Sequence, residues 1–265
     1  PPPLARSARL VRRQFQALTP QRTRLHSQHS GSDVDLDALL RFTTDRACGA
    51  PVSEPGLYLD WRNQQRDLAC LLLADLSLST DAWVNNSARV IDVIRDSLFL
   101  FSEALAATGD RFALYGFSSV RRQNVRFHLL KGFDERYGGA IRGRLAAIKP
   151  GFYTRMGAAI RHAANILAQQ KAGKRLLLIL TDGKPNDLDQ YEGRYGIEDT
   201  RVAIHEARQR GLVPFCVTID ERAGDYLPHL FGAGGFVVVR DAAELPVHLA
   251  QHRHREAARE QRHPP

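Results

Sequence analysis

From residue 67 onward the apolar and polar positions alternate between the period of a strand and the period of a helix. DLACLLLAD (67–75) is an unbroken apolar run closed by an acid, the pattern of a central strand buried on both faces. Within residues 87–107, Val90, Val93, Ile94, Leu98, Phe101 and Leu105 recur at helical spacing. RFALYGFSS (111–119) and NVRFHLLKGF (124–133) read as strands, and the polar VRRQ between them predicts a hairpin. Helices are then predicted over 135–147 and 156–170, a strand over 174–182, and a helix over 198–210. A strand over 213–220, a short helix, a strand over 235–240 and a last helix over 242–252 complete the pattern. Strands separated by helix-length segments imply an α/β fold, a doubly wound and mainly parallel sheet with helices on both faces. Ligands of such sheets gather at the carboxyl ends of the strands, where Asp75 closes the first strand and Asp182 the fourth.

The chain ahead of residue 58 is patterned differently. Leu4, Leu10, Val11, Phe15 and Leu18 fall near helical spacing and stop before Pro20. DVDLDALLRFTTDRA (33–47) has acids in its first turn and an Arg near its end, which complements a helix dipole. Gly49, Pro51, Pro55 and Gly56 then interrupt the chain. The expected organisation is a basic helical extension or the end of an upstream domain over 1–57, the α/β domain over 58–252 and a polar tail over 253–265.

Composition narrows the function classes. At 265 residues and 43% hydrophobic, the chain is long enough for one large domain with a proper core. No apolar run approaches the roughly 18 residues that cross a bilayer, and the basic start lacks the pattern of a secretory signal. A cytoplasmic protein that does not span a membrane is expected. Met156 is the only methionine, so the sequence reads as a fragment. Cys48, Cys70 and Cys216 are odd in number and lack metal-site spacing, and each is expected to be a small buried side chain. The net charge of +8 resides in the ends: residues 1–26 carry six Arg and no acid, and residues 251–265 carry four Arg and two Glu. Without interleaved aromatics or a nucleic-acid motif, these charges read as solvated faces, and no nucleic-acid partner is expected.

The candidate chemistry lies after the strands. In DLSLS (75–79), hydroxyls follow a carboxylate by two and four residues, so Asp75, Ser77 and Ser79 of an extended loop face one way. GFYTRMG (151–157) puts Thr154 in the loop before a helix, and LTDGKPND (180–187) puts Asp182 at a strand end. Neutral hydroxyls with one or two carboxylates suit Mg²⁺, which keeps its waters, and Mn²⁺ fits equally. DxSxS, then a Thr, then an Asp on three successive loops resembles the metal-ion-dependent adhesion site of the von Willebrand factor A family, over about residues 66–252. The resemblance implies metal ligation by Asp75, Ser77, Ser79, Thr154 and Asp182, and an open coordination position for an acidic residue of a partner protein. It implies binding rather than catalysis.

Residues 180–220, 225–239 and 151–163 further resemble the family of nitric oxide reductase activation proteins and its relative, the Rubisco activase adaptors. That resemblance implies an adaptor that works with a MoxR-type AAA+ ATPase on a target enzyme, nitric oxide reductase being favoured and Rubisco the alternative.

Other motifs fail on inspection. Asp187, Asp189 and Glu198 match an EF-hand loop, but Tyr191 and Glu192 occupy its fifth and sixth positions. Gly173–Lys174 is no phosphate loop, and Gly116-Phe117-Ser118-Ser119-Val120 misses the last Gly of a nucleophile elbow. His162 reads as a helix-face residue rather than a base, and HRHR (252–255) as solvated tail. A metal-dependent hydrolase using the same carboxylates is the alternative class. Whether Arg194, Glu198, Asp199 and Arg201 brace a loop or form a docking face, and whether Tyr191 and Tyr195 are packed or exposed, the sequence leaves open.

Overall fold

The computed structural model describes residues 22–49, 56–63, 67–81, 83–85, 88–220, 223–232 and 234–239. The expected helices over 4–18 and 242–252 and the HRHR run lie outside the described residues. The chain divides into two compact units, the smaller being Leu18–Asp67 and the larger taking up the chain from Leu68.

In the smaller unit β1 (Arg22–Gln28), β2 (Asp33–Val34), α1 (Leu36–Ala47) and β3 (Tyr58–Asn63) follow one another. β3 lies between β1 and β2 and is antiparallel to both. Tyr58–Asn63, assigned from sequence to the start of the α/β domain, is the middle strand of this small sheet. The run RTRLHSQ carries no clear apolar alternation in sequence, so only its distant pairing partner reveals it. The predicted helix starts at Leu36, where Asp35 caps it by accepting from the Ala38 amide at 3.2 Å. Asp35 also accepts from the Ser27 amide at 3.1 Å, which ties the helix start to β1.

The larger unit contains β4 (Leu68–Asp75), a 3-10 turn (Leu78–Asp81), a ribbon of β5 (Trp83–Asn85) and β6 (Ala88–Arg89), and α2 (Val90–Thr108). It continues through β7 (Arg111–Val120), β8 (Asn124–Lys131), α3 (Gly139–Ala146), α4 (Met156–Ala168) and β9 (Lys174–Thr181). α5 (Gly193–Gln209), β10 (Val213–Thr218), a second 3-10 turn (Ala223–Asp225), α6 (Leu227–Phe231) and β11 (Phe236–Val238) end the described chain. Six strands form one sheet in the order β11-β10-β9-β4-β7-β8. Every neighbouring pair is parallel except the β7–β8 hairpin.

The sheet order explains the sequence of β4. Held between β7 and β9, it is covered on both faces and has no solvated side, so it is apolar throughout. Cys70, Leu72 and Ala74 pack toward α2 and α3 with Leu98, Phe101 and Leu145. Ala69, Leu71 and Leu73 pack toward α4 and α5 with Ile160, Leu167 and Ile204. α2 ends at Gly109, whose φ of +72° lets the Gly109 and Asp110 amides return to the Ala106 and Leu105 carbonyls before β7 begins. The doubly wound, mainly parallel sheet with helices on both faces is the architecture observed.

Two helices differ in extent from the reading above. α5 starts at Gly193 rather than near 198, because the low helix propensity of Gly193 and Gly196 makes the first turn read as loop. α3 is shorter than 135–147: Glu135 accepts from the Gly132 amide at 2.8 Å and pairs with Arg144, which holds residues 132–135 in a turn. Among the cysteines, Cys70 and Cys216 are buried but Cys48 is exposed, because it follows the end of α1, a helix without a buried residue. Among the described residues no helix is long and apolar enough to cross a membrane.

Leu72 is fully buried against the α2 side of the sheet. Leu72→Ala should lower unfolding free energy by about 2–5 kcal/mol in urea titrations, through lost burial and an unfilled cavity. A cost under about 1 kcal/mol would show that the core around β4 is loosely packed.

Candidate metal centre

β4 lies between β7 and β9; the chain leaves β4 toward β7 on one side, whereas it leaves β9 toward β10 on the other. A crevice at this switch point follows from the topology. Asp75 is the last residue of β4 and is 1% exposed. Leu76 then tucks against β7, where a Cβ at Gly116 would lie 2.3 Å from the Leu76 side chain, so a larger residue there would require that side chain to shift. That close approach is the role of the Gly116 that the nucleophile-elbow pattern had drawn attention to. The Leu76 amide donates to the Phe117 carbonyl at 2.9 Å, after which the chain turns through Ser77 and Ser79.

The loop carrying Thr154 is stitched on three sides. The Gly151 amide donates to Leu76 O and the Leu78 amide to Phe152 O, each at 2.7 Å. Tyr153 and Ser119 exchange backbone hydrogen bonds at 2.7 and 2.9 Å, and Thr154 and Asn186 do so at 2.8 and 2.9 Å. The loops after β4, after β9 and before α4 thus form one hydrogen-bonded floor.

Side chains complete it. Ser77 donates its amide to Asp75 Oδ1 at 3.0 Å, and the Thr154 hydroxyl lies 3.1 and 3.2 Å from the two Asp75 oxygens. Ser77 Oγ donates to Ser79 Oγ at 2.8 Å, and Ser79 Oγ to Asp182 Oδ1 at 3.0 Å. Asp75, Ser77, Ser79, Thr154 and Asp182, separate in sequence, therefore meet in one hydrogen-bonded group. Thr181 and Asp220 belong to the same place and escaped the sequence reading. The Thr181 hydroxyl donates to Asp75 Oδ2 at 3.1 Å, while Asp220, just beyond β10, faces Asp182 and accepts from the Tyr226 hydroxyl at 3.1 Å. The signal for Asp220 was the one used for Asp75, an apolar strand closed by an acid.

Burial first, and then the neighbouring Asp182, push the Asp75 carboxyl from 3.8 up to about 7, against the hydrogen bonds from Ser77 and Thr181. Burial also raises Asp182; the Ser79 hydroxyl opposes the rise and Asp220 adds to it. No Lys, Arg or His among the described residues forms an ion pair with either acid. Nor do three His, Cys, Asp or Glu side chains gather as a metal cluster among the described residues. The donor set is instead three hydroxyls with two carboxylates, all oxygen. That chemistry fits a hard divalent cation that keeps part of its water, and it excludes the nitrogen and sulfur ligation of a zinc site. Two carboxylates placed together in a buried crevice without a counter-charge also fit a site for a cation.

A second network braces the floor. Asp187, 3% exposed, accepts from Ser119 Oγ at 2.8 Å, from the Arg121 amide at 2.8 Å and from the Leu188 amide at 2.7 Å. Arg155, next to Thr154, reaches Asp187 at 3.4 Å, pairs with Asp189 and lies over the Tyr191 ring at 4.1 Å. Burial raises the Asp187 carboxyl, but these amides, the hydroxyl and the guanidinium together hold it below the usual carboxylate range. The would-be EF-hand acids are thus occupied by protein donors. Tyr191 is buried and its hydroxyl bonds Asp199, whereas Tyr195 is 63% exposed. Asp199 pairs with Arg161, and Glu198 with Arg201 and His229, so both acids brace α5. His162 is exposed and packs edge-on against Phe127, as a helix-face residue does.

The sequence profile of the von Willebrand factor type A domain matches residues 73–247. The chain is 60% identical over 251 residues to an uncharacterized protein of Pseudomonas aeruginosa, covering 95% of this chain and 41% of that protein. It is 58% identical over 234 residues to Protein NorD of Stutzerimonas stutzeri, covering 88% of this chain and 38% of the relative. To Protein NorD of Brucella melitensis it is 52% identical, covering 91% and 38%. The chain therefore spans about two fifths of the length of these relatives. Among solved structures, the PilB minor pilin of Streptococcus sanguinis superposes with a TM-score of 0.56 at 15% identity, covering 78% of this chain and 66% of the pilin. The vWF domain of the pili tip protein Mfa5 of Porphyromonas gingivalis does so at 0.55 and 11%, covering 73% and 96%. These two likenesses concern the fold alone.

Two measurements probe the centre. The folded chain keeps the Asp75 proton up to a higher pH than the unfolded chain, so metal-free stability should fall as pH rises from about 4 to about 7. A divalent cation competes with that proton. In thermal melts with EDTA the midpoint should be lower at pH 8 than at pH 5, and Mg²⁺ should raise it more at pH 8, with Asp75→Asn flattening both effects. An equal Mg²⁺ shift at the two pH values would remove Asp75 from the metal's ligands. Asp187→Ala leaves the Ser119 hydroxyl and the Arg121 and Leu188 amides without their acceptor and leaves Arg155 only Asp189, and should cost about 2–3 kcal/mol in urea titrations. A loss within about 0.5 kcal/mol would mean that the brace does not stabilise the fold.

Proposed function

We infer that this chain, which belongs to the von Willebrand factor type A domain family, is the metal-dependent protein-binding module of an adaptor that activates or matures a target enzyme. The observation that carries this reading is the Asp75 carboxylate, buried beside Asp182, surrounded by the hydroxyls of Ser77, Ser79 and Thr154, and without a basic partner among the described residues. Ser77, Ser79 and Thr154 are assigned as oxygen donors to Mg²⁺ or Mn²⁺, with Asp75 and Asp182 acting directly or through water. When bound, the ion supplies an electrophilic coordination position that an acidic side chain of a partner can fill. The chain's own residues hold that position rigidly: Gly116 seats the first loop, and the Arg155–Asp187 brace fixes the loop of Thr154.

Similarity to proteins named NorD supports nitric oxide reductase as the target, with a MoxR-type AAA+ ATPase as the motor. The ATPase contact is assigned outside the metal loops. We assign no catalysis to the module itself: Gly173–Lys174 leads into β9 rather than into a helix, and His162 packs on Phe127. The free thiols of Cys48, Cys70 and Cys216 support a reducing compartment, and we place the module in the cytoplasm.

The test is genetic. In cells lacking the native gene, a full-length protein carrying Asp182→Ala should accumulate and co-purify with the ATPase, yet leave nitric oxide reductase assembled and at least about tenfold less active. Wild-type reductase activity in that strain would defeat the reading.

A further inference from the structure

Phe152 has a φ of +68°, in the left-handed region that a bulky side chain rarely occupies. Its cause is the stitching of the loop. Gly151 is bound to Leu76, Phe152 to Leu78, Tyr153 to Ser119 and Thr154 to Asn186, so four consecutive residues satisfy three different strands of chain. The side chain is directed outward and is 37% exposed. Leu78, between the candidate ligands Ser77 and Ser79, is 54% exposed, and its amide donates to the Phe152 carbonyl at 2.7 Å. Two apolar side chains thus stand on adjoining backbone at the rim of the metal centre. Single exposed apolar residues are ordinary, but an adjoining pair that includes a strained aromatic is not.

The third component is a cation. The Arg126 guanidinium from edge strand β8 stacks on the Phe152 ring, 3.9 Å from its centroid. It forms no hydrogen bond or ion pair with a described residue, so its donors are directed at nothing in the described chain. The neighbouring Arg121 and Arg122 are exposed on the β7–β8 turn, their amides held by Asp187 and Asp189. Phe152 is two residues from Thr154, at most about 7 Å along extended backbone, so the guanidinium lies within a few residues' reach of the metal position.

We propose that Leu78, Phe152 and Arg126 form a second recognition contact beside the metal centre, which takes an aliphatic side chain and a second carboxylate from the partner. The proposal rests on the adaptor reading above. The partner segment it fits is an extended acidic stretch in which one acid ligates the ion, an aliphatic residue beside it packs on Leu78 and Phe152, and an acid about three residues away meets Arg126. A planar guanidinium stacked on a ring is pre-organised for bidentate contact with a carboxylate, which gives the second acid its directionality.

Two peptides test this against the whole chain by NMR titration in Mg²⁺: Gly-Gly-Leu-Asp-Gly-Gly-Glu-Gly and its single-acid counterpart Gly-Gly-Gly-Asp-Gly-Gly-Gly-Gly, both with blocked ends. The first should bind about tenfold more tightly, the size expected of one charge-assisted contact with apolar support. Arg126→Gln, on β8 and outside the metal loops, should remove most of that difference while leaving calorimetric Mg²⁺ binding unchanged. Equal, Mg²⁺-dependent binding of the two peptides overturns the second contact and leaves the adaptor reading standing. Binding of neither peptide, or binding unaffected by EDTA, overturns the adaptor reading itself.

Discussion

A carboxylate at the end of a strand buried on both faces is the constraint on which the rest of the site depends. Asp75 has lost its water, and a buried anion is tolerated only when neighbouring dipoles or charges replace that water. Ser77, Thr154 and Thr181 supply dipoles from two loops and the end of β9, so satisfying one carboxylate draws those segments together. The dipoles do not suffice, because Asp182 stands in the same crevice and both carboxyls are raised. The unfinished compensation gives the site its affinity for a cation in the proposed reading.

The floor beneath these side chains is made of backbone, which explains its rigidity. Residues 151–154 are hydrogen-bonded to the chain after β4, to the end of β7 and to the loop after β9, and the positive φ of Phe152 is the local cost of meeting all of them. Asp187 and Arg155 hold the same region from the other side with charge-assisted contacts. Pre-organised oxygen donors are what a weakly charged divalent site requires.

The same architecture separates stability from recognition. The two apolar clusters on either side of β4 carry the fold, and none of Ser77, Ser79, Thr154 or Asp182 belongs to them. The residues turned outward beside the centre, Leu78 and Phe152, are loop positions outside both apolar clusters.

Most of the larger unit was legible along the chain because its determinants are local or periodic. The apolar run of β4, the helical spacing of α2 and the DxSxS, Thr and Asp elements each announce themselves within about a dozen residues. What the sequence left open was decided by contacts between distant segments. β1 and β3 exist through pairing between segments far apart in sequence, and neither carried a clear periodic signal. Glycines concealed the first turn of α5, which is held in place by the buried Tyr191 and its bond to Asp199. Asp187 resembled a calcium ligand until the fold showed its oxygens bound by Ser119, Arg121 and Leu188. Residue types and short spacings thus determined which groups were available, whereas only the tertiary structure decided which oxygens remain free. That depends on hydrogen-bond partners up to about a hundred positions away, which no local pattern records.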